Sequence, residues 1–357
     1  LHPRVRRQRQ MCIRDSMKVV VNMLSKADSV DGQGVGSAYI EQVNLIKEEL
    51  ADTFEVRINS RKKADITHVH SINPGFYFRF RKKKGVRVMY CHFLPETLKG
   101  SIKLPKPLFA VFKKYVMSFY KKAEYLVVVN PIFKQDLIRL GVKEERIVYI
   151  PNYVSKENFY PLPSSEIVEV RKQYGIAPDS FVVLGCGQVQ TRKGVLDFVE
   201  VAKKNPDITF VWCGGFSFSK ITDGYAELKK VMDNPPCDNL KFLGIIPRTE
   251  MNKMFNMADC LFMPSYNELF PMSILEAVSC DKPVVLRNLD LYKEILWDDY
   301  LCGENNEDFS EIIHRLSNDK EYYAKAQEYS RKIAEYYSKK NVAELWKNFY
   351  LSILDKK

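Results

Sequence analysis

Two glutamates eight positions apart are the residues of this chain best suited by type and spacing to do chemistry. They stand in Ser265-Tyr-Asn-Glu268-Leu-Phe-Pro-Met-Ser-Ile-Leu-Glu276. Glu268 follows Asp259-Cys-Leu-Phe-Met263, an apolar run that predicts a buried strand. Pro271 predicts a helix start, because the N–H that proline lacks would be unpaired there anyway. One carboxylate then sits at a strand tip and the other points back across a helix N-terminus. Between them, Phe270, Pro271, Met272 and Ser273 form the first turn, whose free amides face outward with the positive end of the helix dipole. Anion-binding amides flanked by two hydroxyl-accepting carboxylates suit a phosphorylated sugar. Ser273-Ile-Leu-Glu276 also fits a capping box, which would explain Glu276 without any ligand but leaves Glu268 unexplained.

A second turn points the same way. Gly185-Cys-Gly187-Gln-Val-Gln-Thr-Arg192-Lys193-Gly194 follows the strand-like Phe181–Leu184. Gly187 allows close backbone approach, and Arg192 with Lys193 supplies two positive charges where a diphosphate would lie. A solvated turn with a structural glycine is the competing expectation. Gly32-Gln-Gly34-Val-Gly36 follows the first strand with the wrong spacing for a dinucleotide fingerprint, so Gly34 and Gly36 are expected in a loop that admits substrate or is merely flexible. His92 ends a strand, at the edge where doubly wound sheets place ligands, and is a candidate catalytic residue as a substrate contact, with a structural histidine as the competing expectation. His68 and His70 share one strand face and are expected to pack.

These groups must be positioned by strands and helices in alternation. In the first half, Lys18–Met23, Phe54–Ile58, Ile66–His70, Val86–His92 and Tyr125–Asn130 read as strands; in the second, Phe181–Cys186, Ile208–Cys213, Leu240–Leu243, Cys260–Met263 and Val284–Leu286 do. The fold class is α/β, with two doubly wound domains. Their bounds are expected at 17–155 and 156–340, with a C-terminal helix of about 341–357 returning to the first. Residues 1–16 lack periodicity and an apolar h-region, and are expected to be a non-native or disordered leader rather than a signal peptide.

Charge is uneven. Of the net +11, Met17–Ile150 carries a surplus of about 11 basic groups and the leader about 4 more, so the chain from Pro151 on is acidic. An anionic partner is therefore expected for the first domain alone. Arg81, Lys82, Lys83 and Lys84 follow Phe76-Tyr-Phe-Arg79-Phe80. Lys113, Lys114, Lys121 and Lys122 decorate a helical stretch whose Leu108, Phe112, Tyr115 and Phe119 share a stripe. Such a helix either buries its stripe in the core or lies in a lipid headgroup layer. No apolar run approaches the ~20 residues of a membrane span. The eight cysteines and five histidines show no metal-ligand spacing, so no metal is expected, and buried reduced thiols are.

Taken together, these residues resemble the retaining glycosyltransferases of family 4, with the GT-B fold. The match lies in the E-x7-E motif of NELFPMSILEA, in Lys193 of the glycine turn, and in Ile150-Pro-Asn152 at the domain linker. The resemblance implies a nucleotide-diphospho-sugar in the second domain, with Glu276 on the ribose, Glu268 on the donor sugar and Lys193 on the diphosphate. Most of the family carries an arginine directly after the glycine of that turn; here Gln188 stands there. HFLPETLKGSIKLP, VVNPIF, GQVQTRKGV, WCGGFSF and LRNLDLYKEIL are similar to the diglycosyl-diacylglycerol synthases of low-GC Gram-positive bacteria. That likeness implies UDP-glucose or UDP-galactose as donor, glucosyl-diacylglycerol as acceptor and an α-1,2 link. It also implies a glycolipid product that can anchor lipoteichoic acid, and a cytoplasmic enzyme peripheral to the inner face of the plasma membrane. No cofactor is implied, and no nucleic acid partner. The alternatives are a soluble or polysaccharide acceptor, or a basic membrane- or nucleic-acid-binding protein without catalysis.

Overall fold

The structure is a computed structural model and describes residues 18–26, 34–98, 105–216 and 222–355. The leader and Gly32 lie outside these residues. The first half runs β1 (Val19–Leu24), α1 (Gly34–Glu49), β2 (Phe54–Ile58), β3 (Ile66–Val69), α2 (Pro74–Arg79), β4 (Val86–Cys91), α3 (Lys106–Lys122), β5 (Tyr125–Val128), α4 (Ile132–Arg139) and β6 (Ile147–Tyr149). The second runs α5 (Ser164–Gln173), β7 (Val182–Cys186), α6 (Val195–Lys204), β8 (Thr209–Cys213), α7 (Tyr225–Asp233), β9 (Leu240–Gly244), α8 (Met251–Met257), β10 (Cys260–Met263) and α9 (Met272–Ser279). It continues with β11 (Val284–Arg287), α10 (Asp290–Leu296), β12 (Leu301–Gly303), α11 (Asn306–Asn318), α12 (Lys320–Tyr336) and α13 (Lys339–Asp355).

The strands form two six-stranded sheets, ordered β2-β1-β3-β4-β5-β6 and β12-β11-β10-β7-β8-β9, and every pairing is parallel. Strands covered on both faces need apolar residues throughout, and Leu126, Val127 and Val128 of β5 are wholly buried. Local signals set several helix starts. The Asn73 side chain accepts from the Gly75 amide ahead of α2, Asn305 from Glu307 and Asp308 ahead of α11, and Asp319 from Tyr322 ahead of α12. The chain turns at Tyr337–Ser338, so the terminal helical stretch is two helices, and α13 crosses back to the first domain. Lys339 anchors the crossing on Glu48 and Glu49 of α1 at 2.7 and 3.1 Å.

One face of the first sheet packs α1 and α13. Tyr350 of α13 shares a 2.8 Å hydrogen bond with Nδ1 of His68, and Trp346 stacks on Tyr90 at 5.7 Å. The other face buries Phe76 and Phe80 together with Val116, Met117, Phe119 and Tyr120 of α3. Of the stripe expected on α3, Phe119 is buried and Phe112 and Tyr115 pack half-buried against this core, while Leu108 is 57 % exposed and Val111 beside it 65 %.

The expected basic cluster is also redistributed. Lys113 pairs with Glu96, Lys122 stacks 3.8 Å over the Tyr77 ring, Arg81 donates to the Phe78 carbonyl and Lys84 to that of Arg61. Arg81, Lys82, Lys83, Lys84, Lys114 and Lys121 stay exposed. Gly34 and Gly36 stand in the first turn of α1 rather than in a loop. The seven described cysteines are free thiols, four of them buried.

His68 and His70 pack as expected, in a column with Tyr90 and His92 whose neighbouring rings lie 4.3–5.9 Å apart. Burial holds all three imidazoles well below their ordinary value, His92 at about 3. The unfolded chain takes up these protons near pH 6.5 and the folded chain does not. Stability is therefore complete above about pH 6.5 and falls below it, by up to ~1.4 kcal/mol per histidine per pH unit. Urea midpoints should drop between pH 6.5 and 5, and His70→Phe should flatten that slope. A midpoint independent of pH in this range would contradict the neutral column.

Candidate active site

Parallel strands present all their carboxyl ends on one edge, and ligands meet such sheets where the strand order reverses. In the second sheet that reversal falls between β7 and β10, which pair through Leu184 and Leu261. The turn after β7 carries Lys193, and the loop after β10 carries Glu268. Topology thus brings together two residues 75 positions apart, with Lys193 Nζ 2.6 Å from Glu268 Oε1. Their side chains are 11 % and 4 % exposed. Burial lowers the lysine's pKa, Arg192 adds to that, and Glu268 opposes it.

Glycine is required twice in this turn. Gly187 has φ +139°, and a Cβ there would lie 3.6 Å from Lys193 Cε, so the lysine side chain rests over the bare glycine. At Gly194, φ +67°, a Cβ would stand 2.3 Å from the Pro264 carbonyl, so only glycine lets the turn press against the loop after β10. Arg192 departs from expectation. Its guanidinium donates to Gln190 Oε1 and to the Asn267 carbonyl, both at 3.0 Å, and its own carbonyl accepts from the Tyr266 amide. It is tied to the loop that carries Glu268.

The helix α9 starts after Pro271 with no side-chain cap, which leaves first-turn amides such as that of Met272 to an external anion. Ser273 donates to Met263 Sδ at 3.1 Å and Glu276 pairs with Arg248 Nη1 at 2.7 Å, so the capping box is not formed. Burial raises the Glu276 pKa, Arg248 pulls it back down, and Glu41 pushes it up. Phe270 packs against Tyr337 at 5.6 Å, beside the crossing of the terminal helices. His92 lies just past β4, buried in the aromatic column, and no hydrogen bond joins it to Glu268 or Lys193.

Three residues of this neighbourhood were not expected from the sequence. Asn130 of the first domain donates to the Leu269 carbonyl at 2.8 Å and so holds the loop between the two glutamates. Its place after β5 marks it as an edge residue. Arg248 stands in the turn between β9 and α8, another carboxyl edge. Glu41, inside α1, carries no sequence signal. The assembly offers a buried cation, two buried carboxylates and free amides on one edge, which together can hold an anion and a neighbouring polyhydroxyl group.

The chain is similar to known proteins. Residues 32–158 match the model for Glycosyltransferase Family 4, and residues 166–333 that for Glycosyl transferases group 1. The chain is 44 % identical to the alpha-galactosylglucosyldiacylglycerol synthase of Streptococcus pneumoniae over 95 % of its own length and 91 % of the relative's. It is 26 % identical to the processive diacylglycerol alpha-glucosyltransferase of Acholeplasma laidlawii, over 84 % and 88 % of the two chains. Among solved structures, Anabaena HepE in complex with UDP and glucose aligns at TM-score 0.72 over 94 % of this chain and all of that one, at 16 % identity, a likeness of fold. Sucrose-phosphate synthase from Thermosynechococcus elongatus aligns at 0.76 over 95 % and 100 %, also at 16 %.

The buried pair makes its own prediction. Lys193→Met should destabilise the chain by about 3–5 kcal/mol, because it leaves a desolvated carboxylate without its cation. Adding Glu268→Gln should recover much of the loss, since the amide carries no charge. Urea unfolding of both variants measures this; equal stability of the single variant and the parent would refute the pairing.

Proposed function

The chain belongs to the family 4, group 1 glycosyltransferases, and we propose that it moves a hexose from a UDP-hexose to monoglucosyl-diacylglycerol, giving a diglycosyl-diacylglycerol. The observation that carries the donor half is the 2.6 Å contact of Lys193 with Glu268 at the reversal point of the second sheet. A diphosphate and the sugar it leaves are neighbours in the donor, and so are the cation and the carboxylate that would serve them. The acceptor half is supported by the likeness to the Streptococcus pneumoniae synthase along nearly the whole chain.

Each residue then has a role. Glu276 accepts from the ribose hydroxyls and Glu268 from those of the donor hexose. Lys193 and the first amides of α9 hold the diphosphate and stabilise the charge it gains on leaving. The bond from the anomeric carbon to the phosphate oxygen breaks first. The acceptor hydroxyl attacks on the same face, and its proton passes to that phosphate oxygen, which retains the anomeric configuration. His92, neutral and stacked, moves no proton in this scheme and is assigned to shaping the acceptor side. Arg192 supports the loop of Glu268. Cationic side chains and helix amides take the place of a divalent metal, and no cofactor takes part.

The acceptor is a lipid, and the first domain has a surface to meet it. Phe78, Leu108 and Val111 are exposed on α2 and α3, and Lys82, Lys83, Lys114 and Lys121 lie exposed on the same two segments of chain. The loop Arg61-Lys62-Lys63, joined to Lys84 by a 2.7 Å hydrogen bond, extends the basic area. Among the described residues no helix is long and apolar enough to cross a membrane. This face supports peripheral docking on an anionic bilayer, at the cytoplasmic side where UDP-sugars are.

Mass spectrometry of lipid products should show transfer to monoglucosyl-diacylglycerol from UDP-glucose or UDP-galactose, undiminished by excess EDTA. Glu268→Gln should lose most turnover while keeping its fold. Glu276→Ala should lose about 1.5–3 kcal/mol of UDP affinity, the worth of a hydrogen bond to a charged group. Absence of a glycolipid product, or full activity of the folded Glu268→Gln variant, would refute the assignment. A loss in EDTA restored by Mg²⁺ or Mn²⁺ would reveal a metal site.

Vesicle binding should rise with anionic lipid and fall with salt, each basic residue near the surface contributing about 1 kcal/mol within a Debye length of about 8–10 Å. Lys114→Glu with Lys121→Glu, or Leu108→Ser with Val111→Ser, should cut it while UDP binding persists. Equal binding to neutral and anionic vesicles at low salt would assign this face to solvent.

A further inference from the structure

Both glutamates of the motif are tied to the other domain. The loop of Glu268 is held through the bond from Asn130 to the Leu269 carbonyl. Glu276 is held through Arg248, which donates from Nη1 to Glu276 Oε1 at 2.7 Å and from Nη2 to Glu41 Oε1 at 3.0 Å. Glu41 belongs to α1, so one guanidinium is clamped between carboxylates of two domains.

The clamp is costly to break from either side. Glu41 is 3 % exposed, its Oε2 has no hydrogen-bond partner among the described residues, and Oε1 otherwise meets only Asn158 Nδ2, at the long distance of 3.5 Å. A desolvated carboxylate so poorly served depends on its cation. The guanidinium lies 5.2 Å from the centre of the Phe159 ring, which helps fix the plane of its fork. Without Arg248 the two buried carboxylates would face each other unshielded.

We infer that Arg248 is a positioning residue of the donor site, which orients the Glu276 carboxylate and, by ending on Glu41, makes donor affinity depend on the alignment of the first domain; this rests on the assignment of Glu276 to the ribose. A rigid planar fork transmits displacement. If α1 moves away, either the guanidinium follows and turns from Glu276, or the Glu41 contact breaks and strands a buried charge. Ribose binding and domain alignment are then one coupled equilibrium. Glu41, which touches no part of the donor in this scheme, becomes a determinant of donor affinity.

The test is UDP affinity by calorimetry on the full chain, with folding of each variant checked by thermal melting. Arg248→Ala should weaken UDP by about tenfold or more, as loss of a charge-assisted bond that orients the ribose carboxylate does. Glu41→Gln should weaken it by about threefold or more, and the double variant should bind no worse than Arg248→Ala alone, because both act through one clamp. Arg248→Lys, which keeps the charge but not the fork, should fall between parent and Arg248→Ala, and it covers the case in which the alanine variant does not fold. Parental affinity in Glu41→Gln, or losses that multiply in the double variant, overturns the coupling. If Glu276→Ala loses affinity while Glu41→Gln keeps it, the coupling fails and the ribose assignment stands. Parental affinity in Glu276→Ala removes the ribose assignment itself, and the coupling with it.

Discussion

Parallel pairing of every strand is the constraint on which the rest of this structure depends. A parallel sheet sends each chain back through a helix, so all carboxyl ends of its strands, and all the helix N-termini that follow, lie on one edge. Where the strand order reverses, consecutive crossovers go to opposite faces and a gap opens between them. Lys193 after β7 and Glu268 after β10 flank that gap in the second sheet. The uncapped start of α9 follows the same loop. In the first sheet, β1 and β3 flank the corresponding gap, and α1 begins beside it with its two glycines. Chemistry collects on these edges because backbone polar groups are unpaired there and side chains of distant sequence meet.

Charge burial is the second theme. Lys193 with Glu268, and Arg248 with Glu276 and Glu41, remove five ionised groups from most of their water. Such pairs add little net stability, but breaking one is costly, so each fixes a geometry. The first domain uses opposite chemistry on its two faces. The face under α1 and α13 is a dry column of aromatic and neutral histidine rings. The face under α2 and α3 is buried too, but the outer sides of these helices leave Phe78, Leu108 and Val111 in solvent.

Much of this was legible in the residues. Apolar runs marked ten strands, and the paired glutamates marked the candidate site, because periodicity and motif spacing are local properties. The two strands that escaped, β6 and β12, are three residues each and lie at sheet edges. Ile147–Tyr149 and Leu301–Gly303 become strands only because a neighbour offers hydrogen bonds. The stripe on α3 was legible but its exposed start at Leu108 was not, because sequence shows which residues share a helix face but not how much of the helix the sheet covers. Lys113 and Lys122 counted as free charge until Glu96 and Tyr77 were found beside them.

By itself, the sequence determined the α/β alternation, the two domains and the basic character of the first, and it singled out Glu268, Glu276 and Lys193 as candidates. These follow from residue type and short-range spacing, which no later contact changes. Tertiary structure decided which of these groups touch. It set Lys193 against Glu268 rather than in solvent, and it engaged Arg192 in holding a loop. It also brought Glu41, Arg248 and Glu276, which span more than two hundred positions, onto one guanidinium. Contacts of that kind arise from strand order and from packing of α1 against the second domain. Neither leaves a trace in local spacing, because the energy that fixes them is the desolvation of charges that only the folded chain brings together.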